Sequence, residues 1–437
     1  MSGSGRAAFL LAAAAFLVYN LNLREISSQD TIPARVLPVE LLREHRLDLD
    51  RYFRDEQLRA HPPYWVQHVG GHYVSSYPPL PGLLALPIYV LPVTFLDGDS
   101  WPLINALAKV SASLFAALSV LFVYLAAREL GEPASALGVA VIYAFGTPTW
   151  SVASQGLWGH GPAQLGLAAS IYGVLRGERT GGRAWLGVAG LASGVTVASR
   201  PTSGVMAAAL TLYVLRRRLG GGAAYLAAFG AVAAGLAAYN LALFGSLQGG
   251  YAELNRTHAQ YHAMAGPWET PLGTGILGLL GSPSRGLLVY SPVLTFAFAG
   301  AFLTLWRRRG GLWPYLAGGI AGTLLLLAKF SVWWGGHSFG PRLLSDVLPA
   351  LTLFLVPVWR ATWGSPMARA ALVASFVASA AIHGIGAFYY PSPRSIDWDT
   401  TPRDVDFAHE RLWDWRDPQI VRLLRNGPRP PGFGTEP

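Results

Sequence analysis

The sequence predicts an all-α polytopic membrane protein of about eleven transmembrane helices, and three observations lead there. Of 437 residues, 52% are hydrophobic and 13% charged, about half the charged share of an ordinary soluble domain. The apolar residues gather in runs approaching the roughly 20 that cross a bilayer. Arginines then cluster on alternate connections between those runs, as retention of positive charge on the cytoplasmic side requires.

The first run, 7–23, follows Arg6 and leads into Asn20, Asn22 and Arg24 without a small-x-small cleavage site, so it reads as a retained helix rather than a signal peptide. A first external loop, 24–101, comes next. Within it, Pro33 to His45 sets Val36, Val39, Leu41 and Leu42 among Arg35, Glu40, Arg43 and Glu44, the pattern of a short amphipathic helix lying on the membrane. The run 79–96 is long and apolar, but Pro79, Pro81, Pro87 and Pro92 interrupt its backbone hydrogen bonds. It reads as an interfacial or re-entrant helix.

Spans follow at 102–127, 134–150, 160–176, 184–199, 201–215 and 222–243, a second large external loop at 244–285, and spans at 286–306, 311–329, 343–359 and 369–390. These make residues 1–390 one transmembrane domain and 391–437 an external tail, with the N-terminus cytoplasmic. The last ten residues, rich in Pro and Gly, are expected to be disordered. With 79–96 left uncrossed, the cytoplasmic side holds thirteen arginines, among them the triplets Arg216 to Arg218 and Arg307 to Arg309, against Glu129, Glu132 and Glu178. The formal charge of +9 is therefore topological and implies no nucleic acid. All ten histidines fall outside or in outer halves of spans. Chemistry is thus expected on the external face.

Cysteine is absent, which excludes disulfides, thiolate metal sites and a cysteine nucleophile. No fixed-period repeat or pair of matching halves appears, which argues against a secondary transporter. The basic residues are 31 Arg and two Lys, a bias that fits a GC-rich prokaryotic genome.

Asp30 stands just outside the first span, where a carboxylate meets both water and a lipid headgroup, as a general base acting there must. Its bland alternative is a helix cap ahead of Pro33. Gly71 to Gly82 concentrates His72, Tyr77 and hydroxyls before a Pro-Pro turn, a candidate access path for a sugar or an ordinary interfacial anchor. Gly146 to Gly161 carries Gln155, Trp158 and His160 in a tight external loop, and Ala198-Ser-Arg-Pro201 places Arg200 at an outer turn facing either a polar cavity or headgroups. The densest pair is Gly281 to Pro292, with Ser284 and Arg285, and Lys329 to Asp346, with Trp334, His337 and Arg342. Glycines that admit close backbone approach and arginines with a planar fork suit a phosphate. Asp346, one helical turn beyond Arg342, is expected to pair with it.

In order and spacing, Asp30, Tyr77-Pro-Pro-Leu80, Phe145 to Trp150, Ser199-Arg-Pro201, Ser282-Pro-Ser-Arg285 and Trp334 to Arg342 resemble the GT-C superfamily of polytopic glycosyltransferases, which includes protein O-mannosyltransferases and the aminoarabinose transferase acting on lipid A. The resemblance runs to about residue 390. It implies a GT-C-like fold, a polyprenyl-phosphate sugar donor, a glycolipid, polysaccharide or protein acceptor, and inversion at the anomeric carbon. It makes Asp30 the catalytic base. Arg285, Arg342, His337, Lys329 and Ser284 become donor-phosphate ligands, and Arg35, His72, Tyr77, His160, Arg200 and Trp334 become substrate contacts. Members often follow the first acid with a second and place another in the second external loop; here Thr31, Gln155 and His160 stand instead. No cofactor is required by these residues, and a divalent metal stays an open alternative. Two other readings stay open: a flippase for lipid-linked sugars, using the same arginines, and a non-catalytic cell-envelope scaffold.

Overall fold

The structure is a computed structural model that describes residues 3–26, 28–54, 56–96, 98, 100–217, 220–261, 264–307, 310–391 and 397–434. Every apolar run expected to span falls on a helix or a broken helix. Four helical segments are long and apolar enough to cross a bilayer by length and composition among the described residues: Trp101–Leu130, Gly222–Phe244, Arg342–Gly364 and Pro366–Tyr389.

Trp101–Leu130 is the central element, with Pro in its first turn and a buried face that includes Ala108, Ala112, Ala116 and Ala127. Small side chains let neighbouring backbones come close, which substitutes for hydrophobic burial where lipid is the solvent. One such approach joins Arg183–Ser199 to Gly222–Phe244: a Cβ on Gly190 would lie 2.0 Å from the carbonyl oxygen of Tyr225. Gly222–Phe244 otherwise turns its apolar surface outward, with Tyr225 and Asn240 its buried residues.

Several runs break. The span expected at 286–306 is a short helix Leu287–Tyr290 followed, after Pro292, by Leu294–Arg307. The span expected at 343–359 starts as a 3₁₀ helix, Arg342–Val347, before Leu348–Leu353. The predicted amphipathic segment is the helix Ile32–Glu44, packed beside the proline-rich helix Leu80–Phe95.

Between those two lies a two-stranded antiparallel hairpin, Val66–Val69 with His72–Ser75, absent from the all-helical expectation. Gly70 and Gly71, at φ of 60° and 88°, supply the left-handed pair that a tight hairpin turn needs. Phe53 stacks on Tyr73 at 4.5 Å and packs with Trp65, so an aromatic core fixes the loop.

The tail folds back onto the membrane domain. Trp398 is buried between the guanidinium groups of Arg285 and Arg411, 5.2 and 4.7 Å from its ring, and Gln419–Asn426 packs on Pro366–Tyr389. Residues 428–434, expected to be disordered, run extended with Arg429 N donating to Phe388 O and Gly432 N to Leu23 O. Residues 435–437 of the same expectation lie outside the described ones.

Candidate active site

Ser28 caps the 3₁₀ turn Gln29–Thr31 by accepting from the Asp30 backbone N–H, so the Asp30 carboxylate is not spent as a cap. It points instead at three side chains. Oδ1 accepts from the hydroxyls of Tyr64 and Tyr77, the latter at 2.9 Å, and Oδ2 accepts from Arg342 Nη1 at 2.8 Å. Burial pushes the carboxyl up, but the Arg342 guanidinium, His258 and the Tyr64 hydroxyl outweigh it and hold Asp30 well below the usual carboxylate range. Burial and the Asp30 charge push both tyrosines well above their ordinary value. They stay protonated and donate.

Arg342 comes from the loop that follows Trp313–Lys329. Gly335, Gly336 and Gly340 in that loop have φ of 78°, 66° and 61°, a left-handed region in which a side chain costs about 1 kcal/mol or more. The turns deliver Arg342 across the ring of Trp158 at 4.4 Å and let Nη2 donate to Gly335 O at 2.6 Å. Asp346 does not pair with Arg342. Its Oδ1 meets His160 Nδ1 at 2.7 Å and its Oδ2 accepts from Arg200 Nε at 2.9 Å.

Asp30, Tyr64, Tyr77, Arg200, Arg342 and His258 line one cavity of about 1370 Å³. The lining also has an apolar part, with Leu236, Tyr239 and Phe244 from one helix and Leu326 and Phe330 at the end of another. A third part is acidic and belongs to the tail: Asp397, Asp399 and Asp406.

The expected residues divide. Asp30, Tyr77, Arg200, His337 and Arg342 share the cavity wall, and His160 stands behind it on Asp346. Arg285 does not open onto the cavity. It is buried and spent on Trp334 O, Ser284 O, Gly336 O and Asp399 Oδ1, the last at 2.8 Å. Ser284 is buried beside it, its Oγ accepting from Gln419 N. Lys329 is exposed at the end of its helix, off the cavity wall. Trp334 is buried and donates from Nε1 to Asp406. Arg35 is enclosed with Glu25 and Asn105, and His72 sits on the hairpin with Asp50 and Arg46.

Sequence reasoning missed Tyr64, Tyr251, His258 and the tail aspartates. Tyr64 stands beside Trp65, and Tyr251 and His258 lie on the helix Tyr251–Tyr261, all three in the cavity lining; no spacing in the sequence marks them. The aspartates lie beyond the stretch that resembled known enzymes.

Residues 105–239 match a family model described as dolichyl-phosphate-mannose-protein mannosyltransferase. No curated protein sequence matches the chain. Among solved structures, ArnT from Cupriavidus metallidurans, crystallised with undecaprenyl phosphate, aligns with a TM-score of 0.55 at 13% identity, over 88% of this chain and 76% of its own. An oligosaccharyltransferase from Archaeoglobus fulgidus, in complex with Zn and sulfate, aligns at 0.52 and 14% identity over 94% of this chain. This chain spans 57% of the length of that oligosaccharyltransferase. The likeness is one of fold: an all-α polytopic membrane protein with the GT-C-like architecture expected from the sequence.

Proposed function

We propose that the protein is a glycosyltransferase that moves a sugar from a polyprenyl-phosphate donor to an acceptor hydroxyl at the external face of a prokaryotic cytoplasmic membrane. One observation carries this reading. An ionised carboxylate, Asp30, and a guanidinium, Arg342, meet at 2.8 Å in a cavity that is also lined by apolar side chains from two helices. A lipid phosphate needs both surfaces, one for its charge and one for its chain. The mannosyltransferase family match and the fold shared with a protein crystallised with undecaprenyl phosphate support the same donor class.

In the proposed reaction, the acceptor oxygen attacks the anomeric carbon, which inverts, while Asp30 takes the hydroxyl proton. The bond from the anomeric carbon to the phosphate oxygen breaks, and its electron pair leaves with the lipid phosphate. Arg342 and Arg200 hold that phosphate and stabilise the growing charge, in a bidentate geometry a lysine does not offer. Arg285 and Ser284 hold the walls rather than the donor, and Lys329 takes no part. The acceptor is a glycolipid, a polysaccharide or a protein.

The test is release of radiolabelled sugar from a panel of polyprenyl-phosphate donors by protein in lipid, beside Asp30→Asn. Release that depends on Asp30 supports the proposal and identifies the donor. Undiminished release in the variant removes Asp30 as base. A donor that binds but is never cleaved, with acceptors supplied, favours a flippase or a scaffold.

A further inference from the structure

Two groups of metal-ligating side chains occur among the described residues, Asp48 with Asp50 and His72, and His337 with Asp404 and Asp406. The first already holds a cation. Arg46 donates from Nε to Asp48 Oδ2 at 2.7 Å, and its Nη2 lies 2.7 Å from His72 Nδ1. The second joins the glycine-rich loop that carries Arg342 to the tail.

The geometry points to a divalent-cation site at His337, Asp404 and Asp406, in the wall of the main cavity, that takes Mn²⁺ or Zn²⁺. His337 Nε2 lies 2.9 Å from Asp404 Oδ1 and 3.5 Å from Asp406 Oδ2. Ligands held about 2.1 Å from one ion stand about 3.0 Å apart at right angles and about 3.4 Å apart at tetrahedral angles. Both separations from His337 match that range, and the ligand atoms of all three residues lie within 4.8 Å of one another. One imidazole with two carboxylates is a donor set for Mn²⁺ or Zn²⁺ rather than for a soft metal.

A further contact orients the set. Trp334, itself buried, donates from Nε1 to Asp406 Oδ1 at 2.7 Å and so leaves Oδ2 turned toward His337. Outer hydrogen bonds of this kind fix the direction of a ligating carboxylate. His337 and Asp406 line the cavity, so the ion's open positions face it and accept water or a phosphate oxygen. This site is separate from Asp30 and stands whatever group the protein transfers.

The experiment is a titration of the purified full chain in nanodiscs with Mn²⁺, read as free Mn²⁺ by room-temperature EPR. One saturable equivalent is expected. Trp334→Phe should weaken it about ten-fold and Asp404→Asn/Asp406→Asn more than ten-fold, while Asp48→Asn/Asp50→Asn leaves it unchanged. No saturable binding, binding that survives the double Asp404/Asp406 change, or binding lost with Asp48 and Asp50 each overturns the site. Electron spin echo modulation of the Mn²⁺-loaded unmodified protein needs no variant to fold. A single coupled imidazole nitrogen supports the assignment, and its absence overturns it.

Discussion

Asp30 and Arg342 stand 312 positions apart in the chain, yet their side chains share a hydrogen bond of 2.8 Å. The same carboxylate takes two tyrosine hydroxyls, so every one of its contacts favours the ionised form.

Asp30→Asn keeps the shape but removes the basic oxygen. Turnover should fall by about 10²- to 10⁴-fold, with donor binding changed little. Single-turnover rates and donor affinity, measured on one preparation, separate the two. Loss of affinity with an intact rate would recast Asp30 as a binding residue.

Arg342 uses one nitrogen for Asp30, another for Gly335 O, and its face for Trp158. A lysine keeps the charge without the fork. Arg342→Lys should therefore weaken donor binding about ten-fold or more, and Arg342→Gln further. Equal affinity for Lys and Arg would show that charge alone suffices.

Much of the fold is legible in the sequence because lipid imposes one strong rule, long apolar runs flanked by arginines, and this chain obeys it. The site is less legible, and particular residues show why. The spacing of Arg342 and Asp346 suits an α-helix, in which residues four apart share a face. The segment is 3₁₀, which turns faster and separates them, so Asp346 pairs with His160 and Arg200 instead. Arg285 reads as a phosphate ligand because its partner, Asp399, lies 114 positions away in the tail. Asp30 itself is readable, since its position beside a span is local information.

Removing the hydroxyl of Tyr64 or Tyr77 takes away a donor that favours the Asp30 anion. The Asp30 pKa should rise in each Phe variant, and the acidic limb of the pH-rate profile should shift to higher pH. The limb lies below the usual carboxylate range, so the comparison is made between pH 3 and 4, where each variant should lose more of its pH 7.5 rate than the unmodified protein does. An unshifted limb would remove these hydroxyls from the tuning of Asp30.

Glu40 is buried on Ile32–Glu44, and burial pushes its carboxyl up to about 7. A folded-state pKa raised above the unfolded value favours the protonated form. The folded protein should hold this contribution below about pH 4.5 and lose it progressively as pH rises through about 7. Glu40→Gln should flatten that slope and raise the melting temperature at pH 8 by a few degrees. Thermal unfolding across pH 5 to 8 reads the difference.

Arg285 and Asp399 form a buried pair at 2.8 Å. Removing one partner strands the other charge, at a cost of about 3–5 kcal/mol. Asp399→Ala should lower the melting temperature strongly, and adding Arg285→Met should restore part of the loss. Donor affinity in the double variant should stay within about three-fold of normal. A collapse of affinity there would return Arg285 to the phosphate.

The acidic residues of the cavity come from beyond 396, while Asp30 follows closely on the first helix, Gly3–Asn20. Synthesis runs from one to the other, so the base is laid down early and waits through the making of nearly the whole chain. Until residues 397 to 406 have been made, the chamber lacks a wall. A half-inserted chain thus carries its proton acceptor but no finished compartment around it.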